Sequence, residues 1–412
     1  MPNQVPPSDF DELFKEFSPA TRRVLTLAWE TLPPDVRENV TAFLPTLPRN
    51  KNRWRQLLEM TQTQAAMAFG DKRQVAIIGP TNVGKSTLFN QLVRASAEKA
   101  PVGPLPGTTI VNQTGDGGLF ALIDTPGVDA PGRAGQEGQV QALAAANSAD
   151  FLIIMFDAIQ GIGQAEQKLF AQLQLLGKPY LVVVNKIDLV RRAEETTLAA
   201  LAQALDITPA QIVPTAAISG YNVERVVLAA VTTDPSLLVA LGQALPAYRR
   251  QLAWRAITGA ASTAALIGLT PLPMADFLPL VGLQASLVLG IGRIYQYPLT
   301  WQRARELLGV FGLGMLGRTM FYELAKLGGP PAWAVAAAVA GATTAALGYA
   351  AVLWFERGER VSADSLQQIA RTITTLLVER LKPFGRRRPS RATLATEIRQ
   401  ALEQYAQRQA KP

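Results

Sequence analysis

Gly79, Gly84, Lys85 and Ser86 stand in the spacing Gly-x-x-x-x-Gly-Lys-Ser, between an apolar run at 75–78 and a stretch of helical character. A loop that brings backbone amides onto phosphate oxygens must turn tightly with no side chains in the way. A helix beginning near Lys85 adds its N-terminal amides and dipole. Lys85 is then placed to reach the β- and γ-phosphates and Ser86 to ligate Mg²⁺, with Thr81, Asn82, Val83 and Thr87 completing the loop. Asp124-Thr125-Pro126-Gly127 begins 39 residues after Lys85. A carboxylate at a strand end can hold Mg²⁺ directly or through water, and the Gly127 amide can meet the γ-phosphate unobstructed. Asn185-Lys186-Ile187-Asp188 is the third motif. A carboxylate accepts from both the N1–H and the 2-amino group of guanine, a pair adenine lacks, so Asp188 is the expected base reader. Asn185 would brace the phosphate loop, and the Lys186 stem would cover the base. Each of the last two motifs is common alone; in this order and register the three point to a guanine nucleotide.

These residues need a scaffold. Short apolar runs at 75–78, 119–123, 151–156 and 181–184 read as strands, with a weaker one at 212–213. Helical stretches at 165–176 and 194–205 separate the later ones. This alternation predicts an α/β layer fold with a mostly parallel sheet. Ligands in such sheets bind beyond the C-terminal strand ends, where all three motifs fall.

Composition removes other chemistries. The chain of 412 residues has no cysteine and no histidine, which excludes disulfides, thiol nucleophiles, Cys/His metal sites and every histidine general base. Catalysis must use carboxylates, lysine, hydroxyls, backbone amides or a hard metal ion. The net charge is +8, and residues 356–412 carry 12 basic against 6 acidic side chains. Such a surplus suits an anionic membrane surface or nucleic acid. The polar, proline-rich start reads as no secretory signal. Near the N-terminus, Phe10, Leu13, Phe14 and Phe17 have the spacing of one helical face.

Between Lys326 and Glu356 lie 29 uncharged residues, of which 333–355 are long enough to cross a bilayer as a helix. Uncharged stretches at 256–275 and 277–292 could form a hairpin around Pro271 and Pro273. Asp276 either caps the following helix or, with Gln284, is a buried polar group that fixes docking. Gly312, Gly314 and Gly317 permit close helix contacts. Arg386, Arg387 and Arg388 mark a basic linker, and 393–409 reads as a final exposed helix.

Across about 75–230 the sequence resembles the Era-like branch of the translation-factor class of GTPases. The resemblance implies a P-loop NTPase three-layer G domain that binds GTP or GDP with Mg²⁺ and hydrolyses GTP slowly. It assigns the first-switch threonine to Thr109, within Pro106-Gly107-Thr108-Thr109-Ile110, as a Mg²⁺ ligand and a catalytic contact of the γ-phosphate beside Lys85 and Gly127. Thr108 is the alternative by spacing, and Ile110 stands where relatives often carry arginine. Ala216-Ala217-Ile218-Ser219-Gly220 matches the fifth motif, with the Ala217 amide toward guanine O6; the missing hydroxyl at Ala216 should loosen affinity. Val128 stands where some GTPases place a water-orienting glutamine. Residues 250–355 resemble a poorly characterised helical domain that follows some Era-like G domains and often associates with membranes.

The expected organisation is an N-terminal helical region (1–73), a G domain (74–245), an apolar helical domain (246–382) and a basic linker with a terminal helix (383–412). The expected function is a cytoplasmic guanine-nucleotide switch coupled to a membrane-associated helical module. Its partners would be a membrane or membrane protein and further copies of the chain, with RNA or the ribosome ranked lower. The alternatives are a ribosome- or RNA-associated assembly factor and a nucleotide-dependent membrane-remodelling scaffold. Asn82 matches the asparagine that binds K⁺ in certain relatives. Hydrolysis should therefore run faster in potassium than in sodium buffer of equal ionic strength; equal rates would remove K⁺ from the mechanism.

Overall fold

A computed structural model of the chain describes residues 18–34, 37–38, 41, 62, 64–69, 73–93, 119–125, 133–191, 193–269, 277–302, 304–305, 332–385, 387 and 389–410. In chain order the elements are α1 (Pro19–Thr31), β1 (Val75–Pro80), α2 (Lys85–Leu92), β2 (Phe120–Thr125), α3 (Arg133–Ser148), β3 (Phe151–Asp157), α4 (Gln164–Gln174) and β4 (Tyr180–Asn185). There follow α5 (Glu194–Leu205), β5 (Ile212–Pro214), α6 (Val223–Thr233), α7 (Leu238–Ala244), α8 (Arg249–Gly268), α9 (Phe277–Ile294), α10 (Ala332–Arg357), α11 (Ala363–Leu381) and α12 (Arg391–Ala410). The chain divides into two units, one of residues 72–248 and one that joins 1–71 to 249–412.

The first unit is α/β. Among the described residues it has five strands, all parallel, in the order β2-β1-β3-β4-β5. A parallel sheet is covered on both faces, so its strands are continuously apolar rather than alternating. Every residue of Phe151–Asp157 is buried, and Ile77, Ile78, Ile154, Val183 and Val184 are fully enclosed. Leu169, Phe170 and Leu173 of α4 and Leu201 and Leu205 of α5 pack into the same core. The order reverses at β1, which has β2 on one side and β3 on the other. The crevice beyond their C-terminal ends is the switch point where this topology binds ligands.

Among the described residues the second unit is all-helical. Small residues let its helices approach closely. A Cβ added at Gly268 would lie 2.8 Å from the Ala336 carbonyl oxygen, and one at Gly341 would lie 3.2 Å from that of Ala261, so α8 and α10 nearly touch by backbone. Gln284 on α9 is buried and donates from Nε2 to Thr344 Oγ1 on α10 at 3.2 Å. The hydroxyls of Ser286, Thr343 and Thr374 are satisfied by carbonyls one turn back in their own helices. On α1, Leu25 lies where a side chain at Gly282 of α9 would be.

The 26-residue α10 is long and apolar enough to cross a membrane, as the sequence leads one to expect, and 89% of its most apolar window is buried inside the structure. One expectation changes here. The terminal helix α12 is no exposed appendage. Leu394, Ile398, Ala401, Leu402 and Tyr405 are buried, and their spacing forms one apolar stripe. Arg380 on α11 ties to Glu397 and Gln400 of α12 at 3.2 and 2.6 Å. The Phe10–Phe17 face, Asp276, Gly312, Gly314, Gly317, Arg386 and Arg388 lie outside the described residues.

A Cβ at Gly348 would meet Ile257 Cγ1 of α8 at 2.6 Å and Leu287 Cδ2 of α9 at 2.9 Å. Gly348→Val should therefore cost about 1–3 kcal/mol through overpacking, read as a lowered melting temperature of the helical unit.

Candidate nucleotide site

The loop after β1 is shaped by contacts that only glycine allows. A Cβ at Gly79 would collide with the backbone carbonyl of Met155 on β3. Gly84 has φ +99° and lies against the Asn185 amide, so a side chain there would be both strained and obstructed. Asn82 also takes a left-handed conformation, at φ 65°. Gly84 caps α2 without a side-chain hydrogen bond. The first amides of that helix consequently face the loop with no capping side chain across them, the chemistry of an anion site.

Lys85 opens α2 and is only 4% exposed. Its Nζ donates to the carbonyls of Gly79 at 2.8 Å and Pro80 at 2.6 Å. The ammonium is thus folded back across the loop, held by dipoles rather than by a carboxylate in these two contacts. Ser86 follows at the second position of the same helix. Asp124 is the register partner of Gly79 in the β1–β2 pair, which sets its backbone beside the start of the loop.

Asn185 ends β4 and is buried. Its Nδ2 donates to the Val83 carbonyl in the loop at 2.8 Å. Its Oδ1 accepts from the Ala217 amide at 2.9 Å and from Thr215 Oγ1 at 3.3 Å. One side chain thereby ties the phosphate loop to the segment after β5. Lys186 then turns left-handed at φ 63° and leads into a short 3-10 turn, Ile187–Leu189, that carries Asp188 exposed at the rim. The Ile187 amide donates to the Thr215 carbonyl at 3.1 Å and fixes that turn.

The structure gathers Gly79, Thr81, Asn82, Val83, Gly84, Lys85, Ser86, Thr87, Asn185, Lys186, Asp188, Ala216 and Ala217 around the C-terminal strand ends, with the Asp124 backbone beside them. Thr109 and Gly127, with Thr108 and Val128, lie outside the described residues. The Ala217 amide is engaged by Asn185, so contact with a base oxygen would have to share it. Sequence reasoning misses two participants. Thr215 is fully buried against Asn185, and its only sequence signal is its place directly before Ala216. Asp157 is a buried carboxylate whose signal is an acid ending an apolar strand.

Comparison with known proteins bears on this site. Residues 74–186 match the family model described as 50S ribosome-binding GTPase. Residues 233–380 match a domain of unknown function, DUF697. The GTPase Der of Thermotoga sp. (strain RQ2) is 34% identical over 170 residues, covering 38% of this chain and 38% of that protein. This chain carries a P-loop GTPase domain related to Der. The GTPase Der of Vibrio parahaemolyticus is 40% identical over 121 residues, 28% of this chain and 24% of its own. The chain thus spans well under half the length of these curated relatives. Among solved structures, a point variant of Aquifex aeolicus Era bound to GDP.AlF4- aligns at 24% identity and a TM-score of 0.32, over 50% of this chain and 70% of that one.

The expected ranking of partners is corrected by these matches. Sequence alone ranks a membrane ahead of the ribosome, whereas the model that matches the GTPase domain is one of ribosome-binding proteins. One physical ground for a membrane is the apolar stretch that folds as α10, and 89% of its most apolar window is buried inside the structure.

Asn185→Ala would leave the Val83 carbonyl and the Ala217 amide without this partner. Each buried orphan costs roughly 1–3 kcal/mol, so the variant should unfold at clearly lower denaturant in equilibrium titration of the GTPase domain's signal.

Proposed function

We propose that the protein is a ribosome- or RNA-associated GTPase, binding GTP and GDP and hydrolysing GTP slowly to GDP and phosphate. The observation that carries this reading is the tie from Asn185 to the Val83 carbonyl, which sets the Asn185–Asp188 base reader over the Gly79–Ser86 phosphate loop. The loop amides and the α2 N-terminus would wrap the phosphates. Lys85 would exchange its two carbonyl partners for β- and γ-phosphate oxygens and stabilise the charge that develops on the transferred phosphoryl. Asp188 would accept from guanine N1–H and the 2-amino group, with the Lys186 stem along the face of the base.

The donor chemistry fits Mg²⁺, which prefers hard oxygen ligands: Ser86 carries a hydroxyl in the first turn of the helix that follows the loop, and Asp124 is paired with Gly79 at the adjacent strand end. Ser86, Asp124 and Thr109 would hold it. When bound, Mg²⁺ neutralises charge on the β- and γ-phosphate oxygens. The Val128 side chain carries no amide or carboxyl group to orient the attacking water, which fits a slow intrinsic rate.

The ribosomal side of the reading is supported by the family model, described as 50S ribosome-binding GTPase, that matches residues 74–186. The 12 basic against 6 acidic residues at 356–412 suit a polyanionic partner.

Calorimetry with Mg²⁺ should detect GTP and GDP, with ATP weaker by roughly 10⁴-fold because it leaves the Asp188 carboxylate unpaired. Binding of ATP alone, or of no nucleotide, would overturn the GTPase reading. The full chain should co-sediment with ribosomes or their subunits more strongly with a non-hydrolysable GTP analogue than with GDP, and the association should weaken as salt rises. Absence of co-sedimentation in every nucleotide state would remove the ribosomal half.

A further inference from the structure

Asp157, the last residue of β3, lies opposite Asn185 in the β3–β4 register. Its side chain is 2% exposed. One carboxylate oxygen, Oδ1, accepts from the Ile159 amide at 2.8 Å. The other, Oδ2, lies 2.6 Å from Lys186 Nζ, whose side chain is 27% exposed. Burying a carboxylate is costly unless it is paired and hydrogen-bonded, and an apolar pair of similar volume often serves stability as well or better. The turn accounts for Oδ1, which holds the Ile159 amide, but an amide side chain would serve there as well, so the charge on Oδ2 calls for a further reason.

Its geometry gives one. Lys186 stands in the left-handed region between β4 and the 3-10 turn, so its backbone is fixed while its long stem is free to rotate unless its head is anchored. The pair to Asp157 supplies that anchor. The pair commits the ammonium to a carboxylate other than Asp188, which is exposed and makes no ion pair among the described residues.

We propose that Asp157 is a positioning residue for guanine recognition: its ion pair with Lys186 sets the lysine stem as one wall of the base pocket before nucleotide arrives, and leaves Asp188 unengaged for the base. This inference rests on the guanine-nucleotide reading above.

The test is a double-mutant cycle on the full chain with GDP, using Asp157→Asn, Lys186→Met and the double variant, each with Mg²⁺ and with nucleotide-free melting recorded alongside. Asp157→Asn keeps the shape of the side chain and an acceptor for the Ile159 amide while removing the charge. It should weaken GDP by about tenfold, mostly through faster release, and the double variant should bind no worse than Lys186→Met alone. A GDP affinity of Asp157→Asn equal to wild type, or losses that simply multiply in the double variant, would overturn the proposal. Should Asp157→Asn fail to fold, Lys186→Met and the double variant still decide: equal affinities support the anchor, and a further loss of about tenfold in the double variant sinks it. A wild-type chain that binds no GDP would instead sink the nucleotide reading itself.

Discussion

The nucleotide site depends on one buried amide side chain. Asn185 donates to the Val83 carbonyl and accepts from the Ala217 amide, so three segments far apart in sequence meet at a single residue. Such a bridge works because both of its backbone partners are buried or nearly so and have strong hydrogen-bonding demands. The requirement reaches outward. Gly84 must lack a Cβ for the amide to approach, and Gly79 must lack one for the loop to pass the Met155 carbonyl. The loop therefore takes its shape from the sheet beneath it as much as from its own glycines.

Charge at the site follows a consistent pattern. Both lysines of the motifs are held in place within the protein itself, Lys85 by two loop carbonyls and Lys186 by a buried carboxylate. Asp188 remains exposed at the rim. A side chain that is already oriented loses less freedom when a ligand arrives, whether it would meet phosphate through its charge, as Lys85 would, or a base through its stem, as Lys186 would; this is the physical content of preorganisation.

The helical unit solves a separate problem. Its long apolar helix would be costly to leave in water, and the solution is close packing through Gly268, Gly341 and Gly348, with Gln284 and Thr344 satisfying each other in the interior. The buried hydroxyls of Ser286, Thr343 and Thr374 bond within their own helices, so they add little demand for outside partners. This explains why hydropathy alone points toward a bilayer. A run of small apolar residues has the same composition whether it meets lipid or other helices.

Local pattern suffices for much of the α/β unit. Continuous apolar runs locate the strands within a residue or two, since a strand buried on both faces has no reason to alternate, and the phosphate-loop and Asn-Lys-Ile-Asp motifs mark two segments that the structure joins through Asn185 and Val83. Thr215 and Asp157 escape notice because their roles exist only across strands, through contacts whose partners lie about 30 residues away. The apolar stripe of α12 is legible in sequence, yet whether it meets solvent or a core depends on α8 and α11, which sequence spacing does not place. What the sequence determined by itself was the inventory of groups able to do chemistry and the periodicity of the elements carrying them, both properties of neighbouring residues. Tertiary structure alone decided which carbonyl each lysine met, which acid was buried and where the apolar helix spent its surface, because those outcomes are set by distances between segments that the chain brings together only on folding.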